Sequence, residues 1–257
     1  MKKLIPNQFL IVVLIFSFIF VVFASLVLRL GDPAAATWKW PPTLTIATTG
    51  VGSTSYAILA AWTPAMEQMT GMKVRVRPDD NKPLTLRWLR TGAVDLFMDS
   101  VSEIASFGME AKEGHASREG GPFQIRIVWL GQSVPFGFMV RGDSKIKTLY
   151  DIKPGHRIAY FTSAPAAVAA MDALLAWAKV DKKDVVAVPY SNWAANIRSI
   201  AEGKSDVAYV TTTSPAAFEA EANPNGVRLL ELPYERDSEG AKRFSEIRPT
   251  LVFGTCE

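Results

Sequence analysis

Between Ala47 and Trp62 the chain reads ATTGVGSTSYAILAAW. Gly50, Gly52 and the hydroxyl residues Ser53, Thr54 and Ser55 stand between a run of strand character and a run of helical spacing, with Tyr56 just inside the latter. Glycines let a partner approach backbone amides closely. Free amides and the dipole at a helix start favour an anion. The chemistry available to this stretch is therefore anion binding.

Reactive chemistry fails on spacing. A dinucleotide fingerprint requires G-x-G-x-x-G, and Ser55 stands where the third glycine is needed. Gly203-Lys204-Ser205 lacks the earlier glycine of a phosphate loop. Gly131 to Pro135, GQSVP, lacks the last glycine of a nucleophile elbow. His115 and His156 lie far apart, and the single Cys256 allows neither an internal disulfide nor a cysteine-based metal site. Asp79 and Asp80 are adjacent and are read as caps for the next helix rather than an acid–base pair. No catalytic residue, metal or cofactor is expected, and the chain is not read as an enzyme.

The elements that must position the glycine turn alternate strand and helix. TLTIATT, KVRVRP and VDLFMDS are expected as strands, with helices over Ser55–Met69 and in PLTLRWLRTG, which Gly92 closes. A short helix near Val101 to Glu110 and a charged loop, AKEGHASREGG, come next, and then the strands IRIVWLG and FGFMVRG. A second series runs through a short helical turn in IKTLYDIKPG, the strand HRIAYF, an alanine-rich helix from Ala164, the strand DVVAVPY, the helix NWAANIRSIAEGK, the strand SDVAYVTT, the helix SPAAFEAEA and the strand VRLLELP. Repeated units of this kind build α/β lobes with mostly parallel sheets flanked by helices.

The expected organisation is a leader at 1–30, a linker at 31–42, lobe one at 43–141, lobe two at 142–234 and a truncated return segment toward lobe one at 235–257. Ligands of open α/β sheets sit beyond the carboxyl ends of strands. In lobe one these ends are Gly50 to Tyr56, Asp79 to Lys82 and Asp99 to Val101; in lobe two they are Thr162 to Ala164, Ser191 to Trp193 and Thr211 to Ser214. Hydroxyl residues in such loops cap helices with or without a ligand. Their recurrence at matching positions in both halves favours a cleft.

The 257 residues are 49% hydrophobic and 21% charged, with net charge +3 spread along the chain, so no basic stripe for nucleic acid is present. Phe9 to Leu28 carries no charge and follows Lys2 and Lys3. A helix of that length spans about 30 Å, the apolar thickness of a bilayer. Ala34 to Ala36 also offers a signal-cleavage site. Membrane anchor and cleaved signal both place the remainder outside the cytoplasm.

LTIATTGVGSTSYA, LRTGAVDLFMDS, the stretch from VRGDSKIKTLYDIKPG through LLAWAKV, and IRSIAEGKSDVAYVTTTSPAAFEA resemble, in order and spacing, the TAXI-type solute receptors of TRAP transporters. The resemblance covers Thr43 to about Pro233. It implies a two-lobed periplasmic-binding-protein-like fold of type II, periplasmic or extracytoplasmic and monomeric. It also implies a ligand that is a small organic anion, an amino acid or dicarboxylate such as glutamate or 2-oxoglutarate, delivered to TRAP permease subunits. Carried over residue by residue, its binding positions are Gly50, Gly52, Thr54, Tyr56, Ser100, Ser163, Thr212 and Thr213, and the strand-end loops add Ser53, Ser55, Asp99 and Thr162 as candidate ligand contacts. PDDNK at Pro78 to Lys82 departs from the family's Gly/Ser-rich turn. A sensor or orphan binder of the same fold, without a transporter, is the alternative reading, and an enzyme on this fold the third.

Overall fold

The strand–helix alternation folds into two sheets with separate cores. The computed structural model describes residues 39–100, 124–131, 134–249 and 251–254. The chain divides into units 1–41 and 42–257, and the elements below belong to the second. The apolar stretch 9–28, the expected helix at 101–110, the loop at 111–121, Ser133 and Cys256 lie outside the described residues.

The first sheet holds β1 (Thr43–Thr48), β2 (Lys73–Pro78) and β3 (Leu96–Met98), in the order β2-β1-β3 and all parallel. Alternation in KVRVRP places Val74 and Val76 inward and leaves Arg75 and Arg77 exposed, as a half-buried strand requires. Helix α1 (Thr54–Thr70) starts where the Ser53 side chain accepts from the Tyr56 amide, and ends at Gly71 in the left-handed region. Helix α2 (Lys82–Arg90) is capped by Asn81, whose side chain accepts from the Leu84 amide. The buried core of this lobe is small: Ile46, Leu59 and Val74, with Leu44, Met66, Val76, Leu96 and Met98 packed against it.

The second sheet has five strands: β4 (Phe136–Arg141), β5 (Arg157–Phe161), β6 (Val186–Tyr190), β7 (Val207–Thr211) and β8 (Val227–Leu229), ordered β6-β5-β7-β4-β8. β5 is parallel to β6 and β7, whereas β4 runs antiparallel to both β7 and β8. All of β7 and nearly all of β5 are buried, which explains their continuous apolar composition. Helix α3 (Pro165–Ala178) packs on β5 and β7, helix α4 (Trp193–Ala201) on β4, β5 and β7, and α5 (Pro215–Glu221) on α4.

Several expectations are corrected. FGFMVRG, placed in lobe one, is a strand of the second sheet, where its apolar residues Phe138, Met139 and Val140 find a larger core. IRIVWLG is not a strand: Ile127, Val128, Trp129 and Leu130 are exposed, and Trp129 sets its ring edge-on to Trp62 at 4.4 Å. VDLFMDS pairs over three residues only.

The segment after Pro233, expected to return to lobe one, forms helix α6 (Ser238–Ile247) and packs on α3 of the second lobe. Asp237 caps it by accepting from the Gly240 amide at 2.9 Å, and also accepts from Trp177 Nε1 at 2.9 Å. Phe244 then lies among Phe138, Trp177 and Phe253, with ring centroids 6.3, 5.9 and 5.3 Å away. An amphipathic helix settles on whichever apolar face is open, and these aromatics supply one.

Phe244 is 2% exposed. Phe244→Ala is expected to cost about 3–5 kcal/mol in urea unfolding, as for other buried aromatics cut to alanine. A loss under about 1 kcal/mol would show that α6 is not part of the second core.

Candidate functional site

The loops beyond β1 and β2 meet the loops beyond β5, β6 and β7, at the strand ends where ligands of open α/β sheets sit. One contact is at the glycine turn. Gly52 adopts φ of 93°, which disfavours any side chain, and a Cβ there would stand 3.2 Å from the Ala194 Cβ. Its carbonyl accepts from the Ala216 amide at 3.3 Å. Two residues on, Thr54 Oγ1 lies 3.2 Å from Thr213 Oγ1. The Lys82 amide donates to the Ser163 carbonyl at 3.0 Å. Three points of the first lobe thus touch three loops of the second.

Beneath the turn sits a buried charge network. Lys82 Nζ contacts Asp99 Oδ2 and Thr49 Oγ1, and the Lys82 and Asp99 side chains are only 4% and 9% exposed. Thr49 Oγ1 donates to Asp99 Oδ1 at 3.3 Å and accepts from Ser55 Oγ at 3.2 Å. Asp99 Oδ1 accepts further from the Ser100 amide at 2.8 Å. The ion pair ties the ends of β1 and β3 to the start of α2. Its many hydrogen bonds offset the desolvation that a buried pair incurs.

Asp80 reaches across the cleft. Its Oδ1 accepts from the Gly50 amide at 3.1 Å, while Oδ2 accepts from Asn192 Nδ2 at 2.9 Å and from the Trp193 amide at 3.2 Å. Asn192 caps α4 through its Oδ1, so the carboxylate rests on that helix N-terminus. Burial pushes the Asp80 carboxyl above its ordinary value, against the pull of the Trp193 and Gly50 amides and the Lys82 charge.

The expected site residues divide into groups. Gly50, Gly52, Thr54, Ser163 and Thr213 lie at the contact between lobes. Ser55, Asp99 and Ser100 join the network behind it. Ser53 is buried as the cap of α1. Tyr56 is half-buried in the first turn of that helix. Thr162 donates to the Tyr190 carbonyl and Thr212 to the Pro135 carbonyl, so both fasten loops within the second lobe. The Ser163 hydroxyl likewise donates to the Ser191 carbonyl at 2.9 Å.

The sequence places Lys82 at the end of a cleft loop without a binding role, marks no role for Thr49, and reads Asp80 as a helix cap. Asn81 is the cap, and Asp79 Oδ1 accepts from the Asn81 amide at 2.8 Å. One signal was present: a lysine directly before a proline at a helix start, PDDNKP, is poorly placed for the helix dipole and needs a carboxylate nearby. Among the described residues no group of three His, Cys, Asp or Glu could hold a metal, and no helix is long and apolar enough to cross a membrane.

The sequence profile of the NMT1/THI5-like family matches residues 70–235, which includes the strand-end loops of both lobes apart from the glycine turn. The chain belongs to the NMT1/THI5-like family. No curated protein matches it. Solved structures match this NMT1/THI5-like chain at low identity. One is the alkanesulfonate-binding protein SsuA of Xanthomonas axonopodis pv. citri bound to MOPS, at 18% identity and TM-score 0.52, over 82% of this chain and 81% of that one. Another is the ligand-binding component of an ABC-type import system of Staphylococcus aureus with zinc bound, at 13% identity and TM-score 0.51, over 80% and 72%. A third, from Bordetella bronchiseptica RB50, has 17% identity and TM-score 0.53, over 80% of this chain and 60% of its own. The fold is that of the two-lobed periplasmic binding proteins.

Lys82→Met would leave Asp99 charged, buried and unpaired. It is expected to destabilise the protein by about 3–5 kcal/mol. Lys82→Met combined with Asp99→Asn should recover part of that loss. Equal stability of the single and double variants in urea titration would separate the two residues.

Proposed function

We propose that the protein is an extracytoplasmic receptor that binds a small organic anion between its lobes and delivers it to a membrane transporter. The carrying observation is the meeting of the Gly52–Ser55 turn with the loops at Ser163, Ala194 and Thr213. The Thr54 and Ser55 amides at the start of α1 lack acceptors within their own helix and suit a carboxylate, while Ser53 takes the Tyr56 amide. Lys82, paired with Asp99, is the cation at this point among the described residues that meet there, and Thr49 Oγ1 links its ammonium to the Ser55 hydroxyl. Ligand contacts to both lobes would exist only with the cleft shut, so binding would favour closure.

The finer reading is a carboxylate ligand, an amino acid or dicarboxylate, passed to TRAP permease subunits. It rests on the motif order from TGVGSTSY through the late helix–strand–helix, which resembles the TAXI-type receptors. A second reading replaces the partner with an ABC-type importer and the carboxylate with a sulfonate. It is favoured by the NMT1/THI5-like match and by the alkanesulfonate-binding SsuA among the fold's neighbours. Both readings use the same seat, because carboxylate and sulfonate alike accept from helix-start amides.

Isothermal titration with a carboxylate, its amide and the matching sulfonate decides between them. The carboxylate is expected to bind at least about tenfold more tightly than its amide, roughly 1.4 kcal/mol. Tighter binding of the sulfonate selects the second reading. Equal affinity for carboxylate, amide and sulfonate would sink both.

Tyr56→Ala is expected to weaken binding by about 1–3 kcal/mol while altering stability less, as for a contact aromatic. Lost folding with unchanged affinity in the surviving fraction would make Tyr56 a packing residue.

A further inference from the structure

We infer that Asp80 is a tethered anion: its carboxylate fills the anion seat at the N-terminus of α4 in the second lobe and thereby fastens the lobes together. The inference concerns how the cleft is held shut and is independent of which solute the receptor takes.

Four observations carry it. Asp80 has no local capping duty, since Asn81 performs that role for α2 and the Asp79 side chain braces the turn through the Asn81 amide. Its backbone stands between the end of β2 at Pro78 and the start of α2 at Lys82, so the carboxylate projects from a braced position. All three of its hydrogen bonds use donors distant in sequence: Gly50 from the first lobe, and Asn192 and Trp193 from the second. Finally, Gly50 is shaped around it. A Cβ at Gly50 would lie 2.6 Å from Asp80 Oδ2, so any side chain there would expel the carboxylate.

Among the described residues, the other hydrogen bonds across the cleft, Lys82 to Ser163, Ala216 to Gly52 and Thr54 to Thr213, join neutral groups. Asp80 provides two charge-assisted ones, the stronger class. It also takes the helix dipole of α4 for itself. A solute's anionic group is thereby directed to the first-lobe turn. The closed arrangement is stabilised by the chain itself, so less of the solute's binding free energy is spent on closure.

The test is a distance measurement between spin labels on the full chain. With Cys256→Ser as parent, labels go on cysteines replacing Met69 in α1 and Lys183 in the second lobe, both strongly exposed. Asp80→Ala is expected to lengthen the label separation by more than about 2 Å, the scale of domain rearrangement. Added formate, a free carboxylate of matching size, should restore the parent distance in Asp80→Ala and leave the parent unchanged. Asn192→Ala reads the same contact from the other lobe, and should lengthen the separation without responding to formate. Circular dichroism verifies that each variant is folded, and if Asp80→Ala is not, Asp80→Asn takes its place. An unchanged distance in the Asp80 variant, or a separation that formate does not reverse, would overturn the inference. Neither outcome bears on the titrations that test the receptor reading.

Discussion

The Lys82 ammonium is buried where the first lobe meets the second, and much of the site follows from that burial. A charge removed from water must be surrounded by acceptors. Thr49, from the end of β1, and Asp99, from the end of β3, supply them. Those two residues are brought together only if β1 and β3 pair in their observed register, with Thr48 opposite Met98. The Lys82 amide, at the first position of α2, is left without an intrahelical acceptor and donates to Ser163 of the other lobe. One residue thus links the register of the first sheet to the contact between lobes.

The two lobes differ in what holds them. The second has a continuous core of aromatic and aliphatic side chains, extended by α6 and by Tyr234 and Phe253, which stack at 5.5 Å. The first has three parallel strands and a short list of buried apolar residues, so its strand ends depend more on polar contacts. Local opening follows regions with few buried apolar contacts. The smaller lobe, which carries the glycine turn, is therefore the more adaptable half of the cleft, held against a rigid partner.

Most of the fold was legible from pattern. KVRVRP alternates and HRIAYF carries the apolar run Ile158 to Phe161, and each strand lies where those patterns put it. Gly71 and Gly92 stand just beyond helix ends with positive φ, as stop signals should. The misreadings have one cause. FGFMVRG, IRIVWLG and the segment forming α6 carry apolar residues without indicating which surface covers them. The assignment of FGFMVRG and α6 to the second lobe depends on Phe138, Trp177 and Phe244 meeting, which no local pattern encodes.

For the site, the sequence by itself determined the loops, the glycine turn and the hydroxyl-rich helix starts, because turn and cap chemistry is local: Ser53, Asn81, Asn192 and Ser214 each bond an amide three residues on. Only the tertiary structure decided which of those groups have work beyond their own turn. Asp80 and Lys82 look like neighbours of a helix cap in sequence, yet one reaches Trp193 and the other Asp99. Thr162 and Thr212 look like ligand hydroxyls, and in the fold each donates its proton to a carbonyl of its own lobe. The physical reason is range. A cap is satisfied within one helical turn, whereas a buried charge is satisfied by whatever the folded chain brings beside it.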